Sequence, residues 1–140
     1  DAPAEDAEHL YQFGIHIGLA FQLQDDLLDV YGDTETFGKN IGGDILCDKK
    51  TFLLINAFRL ANEQQRNELN RWIGAKPENP EEKIAAVTYI YNELRLKELS
   101  EQKIESYFAR AMEHLDAVKV QPEKKAVLKQ LSERLMNRQS

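Results

Sequence analysis

The chain has one cysteine, Cys47, among 140 residues. An internal disulfide is therefore excluded, and a reducing, cytoplasmic compartment is expected. No apolar run approaches the roughly 18 residues needed to cross a bilayer, and no basic start followed by an apolar stretch marks a secretion signal. No integral membrane segment is expected. Positive charge is also scarce: 18 Lys and Arg against 24 Asp and Glu give a formal net charge of −6. That balance argues against nucleic-acid binding, because a phosphate polymer would be repelled. Only four prolines interrupt the chain. No segment alternates apolar and polar residues with a period of two, so no sheet is expected. Repeats, low-complexity tracts and a marked domain boundary are all missing. An initiator methionine is missing too. The opening DAPAEDAEHL reads as the approach to a helix inside a longer protein, and a fragment or processed form is expected.

What remains is an ordinary globular composition, 42% hydrophobic and 30% charged, long enough for one all-α unit with a core over residues 1–140. The first helix is predicted from Pro3–Glu5 to about Tyr31, with early acids at its positive end and Gly32 as its stop. Gly14 and Gly18 lie four apart on it, a spacing that suits close helix–helix packing. Helix is predicted to resume near Lys49 and run through FLLINAFRLAN, and a short helix to end at Gly74. Asn79 with Pro80 starts the next helix, which carries Ile84, Val87, Tyr91 and Leu94 on one stripe. A further helix from about Ser100 points Ile104, Phe108, Ala111, Leu115 and Val118 inward. Gln121-Pro122 breaks it, and a last helix carries Leu128, Leu131 and Leu135.

The informative region is Phe21 to Thr51. Gln22, Asp25, Asp26 and Asp29 share a helix face, while Leu23, Leu27 and Val30 are expected in the core. These acids sit in the last turns of their helix, where the dipole is negative. Each is disfavoured there by roughly 0.3–1 kcal/mol when exposed, and they repel one another. A divalent cation removes both penalties. Magnesium, which takes one or two protein carboxylates and completes its octahedron with water and phosphate oxygens, suits such a partial cage. The plain alternative is a solvated acidic face. A calcium loop starting at Asp33 is a poorer fit, because Phe37 cannot ligate and Asp44 stands where a longer glutamate is usual.

Between Gly32 and Asp48 lie Gly32, Gly38, Gly42 and Gly43, and Lys39 sits within this stretch. Glycine lets backbone amides approach an anion, and lysine adds a point charge. Lys49 and Lys50 then precede a helix whose first amides favour anions. Alone, they would be a solvated pair neutralised by Asp44 and Asp48. Together, carboxylates for cations and lysines on two sides describe a metal–diphosphate site.

These residues, Phe21-Gln22-x-x-Asp25-Asp26-x-x-Asp29, then Gly38-Lys39-x-x-Gly42-x-Asp44 and Lys49-x-Thr51, resemble the second aspartate-rich region of the trans-type isoprenyl diphosphate synthases. That family includes the farnesyl and geranylgeranyl diphosphate synthases. The resemblance implies the C-terminal portion of an isoprenoid-synthase helical bundle. The second aspartate-rich motif would occupy residues 25–29, the diphosphate-binding loop residues 32–50 and a helical remainder residues 51–140. It implies a magnesium-dependent enzyme that joins an allylic diphosphate to isopentenyl diphosphate, homodimeric as a whole. By position, Asp25 resembles a direct metal ligand, Asp26 and Asp44 contacts through metal-held water, and Asp29 a supporting acid. Lys39 and Lys49 resemble the lysines that grip the leaving diphosphate. Gln22 resembles a polar contact near the reacting centre. Phe21 resembles part of the cavity wall, and Thr51 belongs to the substrate-binding set. No second DDxxD or DDxxxxD occurs in these residues, so they are expected not to catalyse condensation by themselves.

Other readings compete with this one. A terpene cyclase of the same fold usually carries an Asn/Asp–Ser/Thr–Glu motif, which Asp25-Asp26-x-x-Asp29 does not match. A non-catalytic helical partner could keep the motif without the activity. His9 and His16 are seven apart, but no third ligand accompanies them in sequence. They and His114 read as core-edge or surface residues, and Cys47 as incidental. The lysines and arginines from Lys119 to Arg138 read as a solvated basic face, with a tail closing over substrate as the family parallel.

Overall fold

A computed structural model of the chain describes residues 2–32, 41–118 and 122–136. Among these residues every regular element is a helix, as the absence of period-two patterning predicts. In chain order they are α1 (Ala2–Tyr31), α2 (Gly43–Leu46), α3 (Phe52–Leu60), α4 (Glu63–Trp72), α5 (Pro80–Glu93), α6 (Leu96–Ala117) and α7 (Pro122–Met136). None is long and apolar enough to cross a membrane. The chain divides into two compact units, one of residues 1–24 with 102–140 and one of residues 25–101.

Local chemistry accounts for the boundaries. α1 stops at Tyr31, where the Gly32 amide still donates to Leu28 O at 2.8 Å. The helix expected from Lys49 begins three residues later, because Thr51 is extended and its hydroxyl accepts the Leu54 amide at 3.2 Å. Asn62 and Gln65 cap each other at the start of α4, through bonds of 2.7 and 3.0 Å. Asn79 caps α5 with Pro80 in its first turn. Arg95, at φ 56°, separates α5 from α6, so α6 starts earlier than its sequence suggests. The short helix α2 was not anticipated by periodicity, since four residues carry none.

In the unit of residues 25–101, α5 packs against α2, α3 and α4. Leu27, Val30, Ile45, Leu53, Leu54, Ala57, Leu69, Val87, Ile90, Tyr91 and Leu96 are buried there. Leu27 and Val30 thus occupy the core as expected, while Leu23 is only half-buried. On the α5 stripe, Val87 and Tyr91 are buried and Ile84 and Leu94 half-buried.

In the other unit, Phe13 of α1 meets Ala111 and Leu115 of α6, with Ile17, Met112 and Leu128 packed around them. Ile104 and Phe108 are half-buried. Leu131 is largely exposed, contrary to its expected inward position, and the Leu135 side chain lies outside the described set. The Gln24 amide nitrogen donates to the Met136 carbonyl and ties α7 to α1. Close packing across Gly14 and Gly18 is not found among the described residues. Both positions are exposed, and a methyl group added at either would meet nothing within 4 Å.

Candidate active site

The last turns of α1 place Asp25 exposed, Asp26 buried and Asp29 half-buried. Asp26 and Asp29 are answered by different parts of the segment that follows. Asp29 acts twice: its carbonyl accepts the Gly42 amide at 2.7 Å, and its Oδ2 accepts the Asp44 amide at 2.8 Å. This double hold sets α2 against the end of α1. Gly42 takes φ 95°, and a Cβ there would lie 2.7 Å from the Ile84 side chain, so both the turn and the approach of α5 require glycine.

α2 carries Asp44 on its first turn, and the chain returns to deliver Lys49. Lys49 Nζ donates to Asp26 Oδ1 at 3.3 Å and lies 3.8 Å from Asp44 Oδ2. Asp26, by charge and by hydrogen bond, and then Asp44 raise the Lys49 pKa above the ordinary lysine value. The ammonium is therefore held cationic, yet its side chain remains 51% exposed. Thr51, buried, caps α3 next to it and is hydrogen-bonded to the Tyr91 hydroxyl. Burial, above all, pushes the Tyr91 phenol far up, with the neighbouring Tyr31 and Asp44 adding to it. Tyr31, whose hydroxyl donates to Asn92 Oδ1 at 2.7 Å, is pushed up to about 12, by burial first and then by Glu98.

Asp25, Asp26, Asp29, Asp44, Lys49 and Thr51 thus belong to one unit, and Asp26 and Asp44 converge on Lys49. Phe21 is half-buried and Gln22 exposed, one turn earlier on α1. Lys39 and most of the alternative calcium loop lie outside the described residues. The donors are hard carboxylate oxygens, the chemistry magnesium takes. Among the described residues, no three His, Cys, Asp or Glu side chains are placed to hold a metal ion together. An open set of this kind suits a cation that takes its remaining ligands from a diphosphate.

Two supports were not legible in the sequence. Asp48 does not neutralise Lys49 or Lys50. At φ 57° it turns back so that Oδ1 accepts from Lys83 Nζ at 2.8 Å and Oδ2 from the Gly74 amide at 3.0 Å. Lys83 also donates to Ala75 O at 3.0 Å and is only 1% exposed. The second support is Tyr91 on Thr51. Its only sequence signal is that a tyrosine on an apolar stripe needs a partner for its hydroxyl. Cys47 is exposed, 3.6 Å from the Asp44 carbonyl, and carries no part of the site.

Comparison with known proteins extends this picture. A family model described as polyprenyl synthetase matches residues 1–90. The chain is 39% identical over 82 residues to a short chain isoprenyl diphosphate synthase of Methanocaldococcus jannaschii, covering 59% of this chain and 25% of that protein. It is 36% identical over 129 residues to farnesyl pyrophosphate synthase 1 of Cannabis sativa, covering 89% of this chain and 35% of that one. A crystal structure of geranylgeranyl pyrophosphate synthase superposes with a TM-score of 0.81 at 36% identity, over 96% of this chain and 42% of the other. The chain therefore spans well under half the length of these relatives.

Proposed function

This chain belongs to the polyprenyl synthetase family and has its all-α isoprenoid-synthase fold, and on that premise we propose that it forms part of a magnesium-dependent prenyltransferase. The whole protein would condense an allylic diphosphate with isopentenyl diphosphate, as a cytoplasmic homodimer. The observation that carries the reading is the convergence of Asp26 and Asp44 on an exposed, firmly protonated Lys49, with Asp29 bracing Asp44.

Ionisation of an allylic diphosphate moves negative charge onto the leaving group. Lys49 is a preorganised cation for that charge. Its contacts with Asp26 and Asp44 are long, so the ammonium can exchange carboxylate for phosphate oxygen without breaking a tight bond. Lys39 is assigned the same role by its position in the motif. Asp25, Asp26, Asp29 and Asp44 would hold magnesium, which when bound supplies Lewis-acid neutralisation of the diphosphate. Gln22 and Phe21 are assigned to the reacting end of the substrate, and Thr51 to its diphosphate end.

Thermal melting tests the site. Magnesium with inorganic diphosphate should raise the melting temperature where neither does so alone, and Asp25→Ala should abolish the shift. A shift that survives Asp25→Ala, or no joint shift at all, favours a non-catalytic helical partner. The 140 residues alone, given isopentenyl and allylic diphosphates with magnesium, should yield no longer product. Elongated product would overturn their assignment as an incomplete catalytic unit.

A further inference from the structure

The chain has three histidines, and the fold brings all of them together in the unit of residues 1–24 with 102–140. His9 Nδ1 on α1 lies 3.0 Å from His114 Nδ1 on α6, a residue 105 positions away. His16, two turns after His9, stacks on the other side of this contact. Its ring centroid is 5.5 Å from that of His114, with 26° between the planes. All three are half-buried. Half-burial fits the core-edge reading of the sequence, but spacing gave no sign that His114 meets the other two.

Hydrogen bookkeeping limits what this cluster can hold. A contact between two Nδ1 atoms at 3.0 Å requires one N–H and one lone pair. The two facing nitrogens therefore share a single proton. A second proton would set N–H against N–H and add a charge to rings whose centroids are 5.3 Å apart. His16 cannot relieve the crowding by turning freely. Its Nδ1 lies 2.7 Å from the Gln12 carbonyl, which only accepts, so that nitrogen carries hydrogen.

Charged side chains stand near the cluster on all three helices of this unit. On α1, Glu5 and Asp6 stand one turn before His9, and Glu8 accepts from Gln12 at 3.2 Å. On α6, Arg110 stands one turn before His114. Tyr107 lies 6.1 Å from His16 and carries Lys103 over its ring at 5.1 Å. On α7, Lys125 and Lys129 are directed at Asp116, through its carbonyl at 3.0 Å and its Oδ1 at 2.8 Å. The α7 lysines are thus engaged by Asp116.

We propose that His9, His16 and His114 form a proton-operated latch that fastens the first half of α1 to the second half of α6. It is closed while the facing nitrogens share one proton and opened when a second binds. Mild acidification then loosens this helix pair while leaving the aspartate–lysine unit in place.

Hydrogen–deuterium exchange of the full chain tests this, with rates corrected for intrinsic pH dependence. One extra proton taken up on opening should raise the opening equilibrium of residues 8–20 and 106–117 as pH falls, approaching about tenfold per pH unit below the imidazole range. Residues 52–60 should show no such rise. His114→Asn keeps a polar group near the Nδ1 position but cannot charge, and should flatten the response. His9→Asn should do the same, and carries the test if the first variant does not fold. Exchange that is independent of pH between 7.5 and 5, an equal rise in both variants, or a rise shared by residues 52–60 would overturn the latch.

Discussion

Two lysines in the unit of residues 25–101 meet acids under opposite conditions. Lys83 is 1% exposed, with donors 2.8 Å from Asp48 and 3.0 Å from Ala75 O. Lys49 is 51% exposed and reaches its acids only at 3.3 and 3.8 Å. The first arrangement satisfies a charge that water cannot reach, and it pins the turn after α2 to α5. The second leaves a charge that water, or a phosphate, can contact. A tight pair serves architecture because it has one low-energy geometry. A loose pair serves chemistry because its cation can be reassigned. The difference between these lysines is thus a difference of role.

Removing the tight pair's acid gives the sharpest test of that contrast. Asp48→Asn keeps the turn residue's size but strands the Lys83 ammonium, and should cost about 3–5 kcal/mol in urea denaturation. Lys83→Met should cost markedly less, because it leaves no buried charge. Equal costs would mean that the pair is not what holds the turn. Next comes Gly42→Ala. A left-handed φ and a Cβ driven into Ile84 should lower stability by about 2 kcal/mol, read the same way.

Tyr91→Phe should cost about 1 kcal/mol at neutral pH through loss of the Thr51 bond. Its alkaline behaviour adds a sign. Tyr31 and Tyr91 are raised in the folded chain, so their contribution is complete below the ordinary phenol value near 10. It is lost as pH rises, for Tyr31 through about 12. The variant should therefore lose stability less steeply above pH ~10. Lys49, also raised, contributes in the same direction: present at neutral pH and lost only above the ordinary lysine range.

Lys49→Met breaks a pair whose ammonium is half-exposed but whose Asp26 carboxylate is buried, so it should cost about 1 kcal/mol, well below the loss at Asp48. The joint magnesium–diphosphate melting shift should nonetheless vanish. A large destabilisation with the ligand shift intact would reverse the assignment of roles.

What could be read in advance followed from distance along the chain. Asp25, Asp26 and Asp29 lie within one turn, so helical geometry alone places them. Asn79 and Pro80 start α5 for reasons contained in neighbouring residues. The helix starts at Phe52 rather than near Lys49 because the Thr51 hydroxyl accepts the Leu54 amide and caps it. Contacts closed by the fold left no such trace. Lys83 lies 35 positions from Asp48, and His114 lies 105 from His9. Spacing carries no information at that range. Gly14 and Gly18 erred in the other direction, as a short-range pattern that the described residues do not use.

Asp29 has one more consequence. By holding Gly42 and Asp44 at once, through its own carbonyl and carboxylate, it works as a buckle that keeps Asp44 in register with the acids of α1. The alignment of the acidic set therefore rests on one residue that both belongs to it and braces it.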